Sequence, residues 1–288
     1  MHDKLHEWAY LTAWRGIRLL PDNVADRLFR YGADRSFRRG GPRVDQLRRN
    51  LERVTGTDVD DAMLRTALRS YARYWKEAFR LPSMSDRAFA AAFEMNGFEP
   101  VAERARQGMG SIVALPHTGN WDLAGAWVAK QGHGITAVVE RLKPEGVYRR
   151  FVEFRESLGM HVIPTDGSDT APLALLGNRL QAGDVVALVA DRDLSDSGID
   201  VDFFNATASF PAGPAYLAVR HQVPLYTASI HYEDDRAVCH ISGPVDTGQG
   251  RLRERMNHTT QQMADMFQKS IADHPTDWHM MQRFWTDQ

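Results

Sequence analysis

The chain has 288 residues, 43% hydrophobic and 25% charged, which is an ordinary globular balance and enough for one large domain. A formal net charge of −2 argues against a whole-chain nucleic-acid binder, and a single cysteine excludes a disulfide framework or a cysteine-based zinc cluster. No apolar run approaches the roughly 20 residues a membrane span needs.

Asp3 and Glu7 sit where a secretory signal would need an apolar stretch, which argues against such a signal. Taken alone, these features predict a soluble cytoplasmic protein. The charge is unevenly spread, however. Residues 1–80 hold 17 Lys and Arg against 11 Asp and Glu, a net of +6, and residues 81–288 carry a net of −8.

The first eighty residues have helical periodicity. Leu5, Trp8, Ala9, Ile17 and Leu20 share one broad arc of an amphipathic helix over 5–20, with Lys4, Glu7, Arg15 and Arg18 opposite. Pro21 and Asp22 open a second helix, expected around 23–31, and Gly40-Gly41-Pro42 breaks the chain. Val44, Leu47, Leu51 and Val54 form the core stripe of a third helix. Asp58 or Asp60 caps a fourth that runs to about Arg80.

Beyond Pro82 short β-rich runs alternate with helical stretches. Strands are expected at 112–115, 136–140, 161–163 and 185–190, with helices at 121–131, 145–158 and 169–181. Residues 198–204 alternate as a half-buried strand, and 211–222 reads as a helix. A hairpin over 225–242, a long helix over 251–272 and a short one over 277–285 complete the pattern. The βαβ rhythm predicts an α/β fold with a central mixed sheet flanked by helices and a basic, helical N-terminal segment. No repeat or low-complexity segment divides the chain, so it is expected to form a single domain over 1–288.

Three segments carry candidate chemistry. Ile112-Val-Ala-Leu-Pro-His117-Thr-Gly-Asn-Trp-Asp122 ends a strand and starts a helix, which puts His117 at the sheet edge where α/β domains place ligands. Asp122, in the first helical turn, is within reach to fold back on His117. A carboxylate on one imidazole nitrogen makes the other a better base. The plainer alternative is a capping turn with an incidental histidine. Asp191-Arg192-Asp193 leaves the most apolar strand and is either a salt-bridged turn or part of a site. Arg141, Lys143, Arg149, Arg150 and Arg155 form a solvated basic face or a cationic wall for a phosphate-bearing substrate. Cys239 lies mid-strand and reads as packing, and the chain has no Gly-x-Ser-x-Gly elbow and no phosphate loop. The remaining histidines show no metal-ligand spacing, so no metal is expected.

Together these motifs resemble the bacterial lipid A/lysophospholipid acyltransferase family, and within it the phosphatidylinositol mannoside acyltransferases of actinobacteria. The resemblance rests on the His-x4-Asp motif His117–Asp122, on Glu140-Arg141-Leu-Lys143-Pro144 through Arg155-Glu-Ser-Leu-Gly159, on Asp191-Arg192-Asp193, and on Val201-Asp-Phe-Phe204 through Pro211-Ala-Gly-Pro214. It implies transfer of a fatty acyl group, palmitoyl-like, from acyl-CoA as co-substrate to a mannose hydroxyl, with no further cofactor and no acyl-enzyme. His117 would be the general base, Asp122 would orient it, and Asp191 would be a third acidic group near the base. Arg155 would line the polar groove, holding the oxyanion or a substrate phosphate, with Arg141, Arg192 and Asp193 on the substrate side. Trp121, Leu123, Trp127, Phe203 and Phe204 are candidate linings for the acyl chain.

The same family reading implies a glycolipid acceptor, and the charge split with the amphipathic face over 5–20 adds an anionic membrane surface as partner. Together they place the protein peripherally on the cytoplasmic face of the inner membrane, with residues 1–80 as the membrane-facing layer and 81–288 as the catalytic core. Two other functions fit the residues. One is a metal-dependent phosphoesterase built on His117, Asp122, Asp191 and Asp193. The other is a non-catalytic membrane-binding module.

Overall fold

The computed structural model describes residues 16–139, 145–164, 172–193 and 197–288. Most of the helix expected over 5–20, and Arg141 with its neighbours Glu140 and Lys143, lie outside the described residues.

The N-terminal layer holds three long helices, α1 (Asp22–Arg39), α2 (Pro42–Thr55) and α3 (Asp61–Arg80). α1 is longer than expected because nothing breaks it before Gly40-Gly41-Pro42. The stripe Val44, Leu47, Leu51 and Val54 on α2 is buried, and much of it meets Leu64, Ala67 and Leu68 of α3 in a small core of their own. Asp60 caps α3, its carboxylate accepting from the Met63 N–H at 2.7 Å. After α3 come α4 (Asp86–Ala92), β1 (Phe93–Asn96) and α5 (Glu99–Arg106), which lead into the sheet.

The sheet itself alternates as expected: β2 (Ser111–Leu115), α6 (Trp121–Lys130), β3 (Ile135–Val139), α7 (Glu145–Ser157), β4 (Met160–Pro164), α8 (Pro172–Gln181) and β5 (Val185–Val189). A separate hairpin, β6 (Ile199–Phe203) and β7 (Ala206–Phe210), precedes α9 (Gly213–His221), the hairpin β8 (Leu225–Glu233) and β9 (Arg236–Ser242), and the long α10 (Leu252–Asp273). The seven strands lie in the order β1-β9-β8-β2-β5-β3-β4. Every neighbouring pair is parallel except β8 with β9.

Both faces of the sheet are covered, so β2 reads as a continuous apolar run rather than an alternating one. Ile112 and Ala114 face the core under α8, α9 and α10, which also takes in Phe203, Phe210, Phe267 and Trp278. Val113 and Leu115 face the opposite core, under α6 and with Phe98, Phe151 and Phe154.

One expectation fails at the C-terminus. Residues 277–285 were expected to be helical, but only Pro275–Asp277 turns, as a short 3₁₀ segment, and the chain then runs extended. Its backbone groups are taken by other elements. The His279 N–H donates to the His117 carbonyl at 2.8 Å, and the Gly119 N–H donates to the Asp277 carbonyl at 3.0 Å. Trp278 pairs with Thr118, and Trp285 pairs with Ala208. This strap lies along the loop that follows β2.

Candidate active site

Two adjacent parallel strands build the site. In the β2–β5 ladder Leu115 pairs with Val189, so the residues two positions beyond each strand, His117 and Asp191, emerge side by side at the same sheet edge. The Asp191 carboxylate is fully buried. It accepts from His117 Nδ1 at 2.5 Å, from the His117 backbone N–H at 2.9 Å and from the Trp278 indole N–H at 2.9 Å. Burial pushes the Asp191 carboxyl up, but the facing imidazole and these donors outweigh it and hold the group below the usual carboxylate range. Because an ionised carboxylate only accepts, Nδ1 carries the proton and Nε2 presents a lone pair.

Asp122 does not reach His117. Its carboxylate, almost fully buried, accepts from Arg155 Nε at 2.8 Å and from the Tyr74 hydroxyl at 3.1 Å. The helix start turns it toward α3 and α7, away from the strand edge. Burial disfavours the Arg155 charge, but Asp122 and Tyr74 more than offset that and hold its pKa up. Burial beside Asp122 likewise raises the Tyr74 phenol well above its ordinary value. The partner expected for His117 was therefore the wrong carboxylate, since strand register rather than sequence proximity decides which one arrives.

The loop 116–120 is locked from several sides. Asn120 caps α6, accepting from the Leu123 N–H at 3.1 Å and donating to Glu77 of α3 at 2.9 Å. Glu77 also takes the Tyr232 hydroxyl at 3.1 Å and the Arg73 guanidinium at 2.7 Å. Gly119 sits at φ +54°, where a Cβ would fall 2.7 Å from the Ile230 carbonyl oxygen, so only glycine fits the close pass over β8. None of these supports was visible as a motif. Ser70, which donates to Asp277 at 2.6 Å, and Glu77 interrupt the apolar face of α3 and were the available signals.

A cleft of about 2310 Å³, open to solvent, lies over this edge. His117, Arg155, Arg192 and Asp193 line it, together with Tyr71, Trp121 and His279. A second space of about 720 Å³ runs between the sheet and α6, lined almost wholly by apolar side chains that include Val113, Ile135, Ala187, Ala228, Cys239 and Met95. The two share Trp121, Val138, Val139, Arg155 and Val189, so the apolar cavity meets the open cleft beside Arg155. The lining differs from that expected. Trp121 contributes, but Leu123 is wholly buried in the core, Trp127 packs on Phe98, and Phe203 and Phe204 belong to the opposite face. Cys239 lines the cavity with its thiol pushed up to about 12 by burial, which makes it inert as a nucleophile.

The acids expected for a metal site do not gather. Asp122 is held by Arg155 and Tyr74, both Asp191 oxygens are engaged, and among the described residues no three His, Cys, Asp or Glu side chains come together as ligands.

The arrangement is a carboxylate-supported histidine on an open cleft that adjoins an apolar cavity. The family described as bacterial lipid A biosynthesis acyltransferase matches residues 2–287. The chain belongs to that family. It is an acyltransferase. Among its relatives, the phosphatidylinositol mannoside acyltransferase of Mycolicibacterium smegmatis is 42% identical over 96% of this chain and 90% of the relative. Those of two Mycobacterium tuberculosis strains, CDC 1551 and H37Rv, are 40% and 39% identical, each over 97% of this chain and 88% of the relative.

Proposed function

We propose that the protein transfers a fatty acyl group, palmitoyl in length, from acyl-CoA to a mannose hydroxyl of a phosphatidylinositol mannoside. The observation that carries the reading is the His117–Asp191 pair in an open cleft, lined by both apolar and charged side chains, that adjoins an apolar cavity. The acyl chain lies in the cavity and its thioester sits beside Arg155. The glycolipid enters through the cleft. His117 Nε2 removes the proton from the acceptor hydroxyl as its oxygen attacks the thioester carbonyl, and Asp191 steadies the imidazolium that forms. The tetrahedral intermediate collapses with loss of the CoA thiolate, which takes the proton from His117. No acyl-enzyme forms, and no metal or further cofactor takes part.

Arg155 is the cation at the junction. Asp122 holds its Nε at 2.8 Å and its Nη2 at 3.4 Å, and the guanidinium so fixed stabilises the oxyanion. Arg192 and Asp193, on the other wall of the cleft, serve the polar portions of the substrates, and Arg141 belongs to the same substrate-binding set. The names of the relatives support the choice of acceptor, and the shape of the cavity supports the choice of donor.

Among the described residues no helix is long and apolar enough to cross a membrane. Access to a lipid acceptor comes instead from the basic N-terminal layer, lying peripherally on the cytoplasmic face of the inner membrane. On α1, Val24, Leu28 and Tyr31 are exposed together with Arg27, Arg35 and Arg38.

The test is direct. Purified protein given palmitoyl-CoA and mannosylated phosphatidylinositol should release CoA in step with acylated glycolipid, and His117→Ala should abolish both. Transfer undiminished in His117→Ala would overturn the mechanism.

A further inference from the structure

The face of α3 turned away from the cleft closes a second, polar pocket of about 950 Å³. This pocket lies between α1, the end of β8 and the root of the C-terminal strap. It shares no lining residue with the cleft over His117, and nothing in it takes part in the acyl transfer proposed above.

Its side chains hold donors in excess. Arg73 is answered by Glu77 at 2.7 Å and Arg69 by Asp34 at 2.8 Å, but Arg30 and Lys76 share one carboxylate, Asp26. Lys76 is the loosely held one. Its side chain is 12% exposed, its ammonium lies 3.4 Å from Asp26, and it has no other partner among the described residues. An ammonium carries three N–H groups, and one so shielded from water is short of acceptors. Across the pocket the His274 ring stacks on His231 at 3.7 Å. Neither that ring nor the Thr276 hydroxyl makes a hydrogen bond among the described residues. The second carboxylate of the lining, Asp277, is already taken, by the Ser70 hydroxyl at 2.6 Å and the Tyr232 N–H at 2.8 Å. Spare donors on both walls, with the carboxylates engaged, suit an anionic ligand rich in acceptor oxygens.

The walls also say what an occupant does. Lys76 belongs to α3, whereas His274, Thr276 and Asp277 open the strap. The Asp277 carbonyl receives the Gly119 N–H, and the next two residues reach the base: Trp278 donates to Asp191, and His279 to the His117 carbonyl. A ligand bridging Lys76 to His274 and Thr276 therefore ties the strap to α3. Asp26 and Arg30 lie on the opposite side of α1 from the exposed Val24, Leu28 and Tyr31, at about 100° per residue. The pocket thus opens away from the face proposed to meet the bilayer. We propose that it binds a water-soluble, phosphate-bearing molecule, held by Lys76, Arg30, His274 and Thr276, whose occupancy steadies the strap beside the catalytic base. The choice of a soluble ligand rests on the membrane docking proposed above, whereas the binding itself does not depend on the acyl-transfer reading.

The test titrates the full chain with inorganic pyrophosphate in a calorimeter, at an ionic strength held constant with chloride. The wild type should show a saturable site. Lys76→Met, which leaves Asp26 paired with Arg30, and Arg30→Met should each weaken that site about tenfold. Lys76→Arg should keep it within a few-fold, and so should Arg38→Met, which removes the same charge from α1 outside the pocket. Pyrophosphate should also slow hydrogen exchange at the Gly119 and His279 amides in the wild type and leave it unchanged in Lys76→Met. The site is overturned if no saturable binding appears, if it survives both pocket substitutions, or if Arg38→Met costs as much as Lys76→Met. Bound pyrophosphate that leaves the exchange of both amides unchanged overturns the link to the strap. If phosphatidylinositol vesicles, and not pyrophosphate, lose affinity in Lys76→Met, the occupant is a lipid headgroup and the soluble assignment fails.

Discussion

The Asp191 carboxylate takes three donors and has no exposure to water, while Asp122 is tied to Arg155 and Tyr74. The two acids should therefore fail differently. In Asp122→Asn the nearly buried Arg155 loses its counter-charge, and the expected cost is on the order of 3 kcal/mol in stability, read as a lower midpoint in denaturant. Trp278→Phe removes one donor from an ionised partner while keeping the ring. It should lower kcat about tenfold with little change in either KM, as expected for a group that positions the base. His279 adds a pH signature. Burial pushes its imidazole down to about 4, against about 6.5 in the unfolded chain. Its stabilising contribution is intact above pH 6.5 and is lost as pH falls from there towards 4, because the unfolded chain takes up a proton that the folded one refuses. His279→Gln should flatten that part of the stability–pH curve.

Strand register explains which parts of the site were legible in the sequence. His117 could be found because an apolar strand followed by a polar, glycine-containing turn marks a sheet edge. Its partner could not, because which strand lies beside β2 depends on pairing across the sheet, and β5 is over seventy residues away in the chain. The 3.6 and 2.0 periodicities located most helices and strands but passed over α4, β1, α5 and β7. They misread 277–285, where tertiary hydrogen bonds to the 117–119 loop override local preference. The apolar cavity was likewise invisible, since it is a space left between α6 and the sheet by small residues such as Gly125, Ala137, Ala187 and Ala228 on separate elements. Its lining runs from Met160 of β4 across the sheet to Met95 of β1. Cys239 on β9 lies towards the end of the cavity remote from Arg155. Filling that end with Cys239→Phe should shift the preference among acyl-CoA donors to chains a few carbons shorter. The cost on long donors should be about 0.8 kcal/mol for each methylene displaced from the cavity. An unchanged chain-length profile would place the acyl chain elsewhere.

At the scale of the whole molecule, the uneven charge takes on a shape. The N-terminal helices carry the positive excess, pack on the sheet edge through Tyr74, Glu77 and Ser70, and expose Leu28 and Tyr31 at 51% and 57%. An arginine-rich layer with apolar tips, set beside the cleft, suits an enzyme that takes its acceptor from an anionic lipid surface. Leu28→Asp should weaken co-sedimentation with phosphatidylinositol-containing vesicles, and added salt should weaken it for the wild type. Binding indifferent to both would remove this layer from lipid recognition. The central claim is narrower: acyl transfer by a histidine whose base character comes from Asp191. Its most direct measurement is the rate of labelled palmitoyl transfer from palmitoyl-CoA to mannosylated phosphatidylinositol by Asp191→Asn. An amide facing Nδ1 no longer holds the proton there, so Nε2 loses its free lone pair. The account predicts a fall in kcat of roughly 10³-fold or more. An Asp191→Asn enzyme within a few-fold of wild type would contradict it.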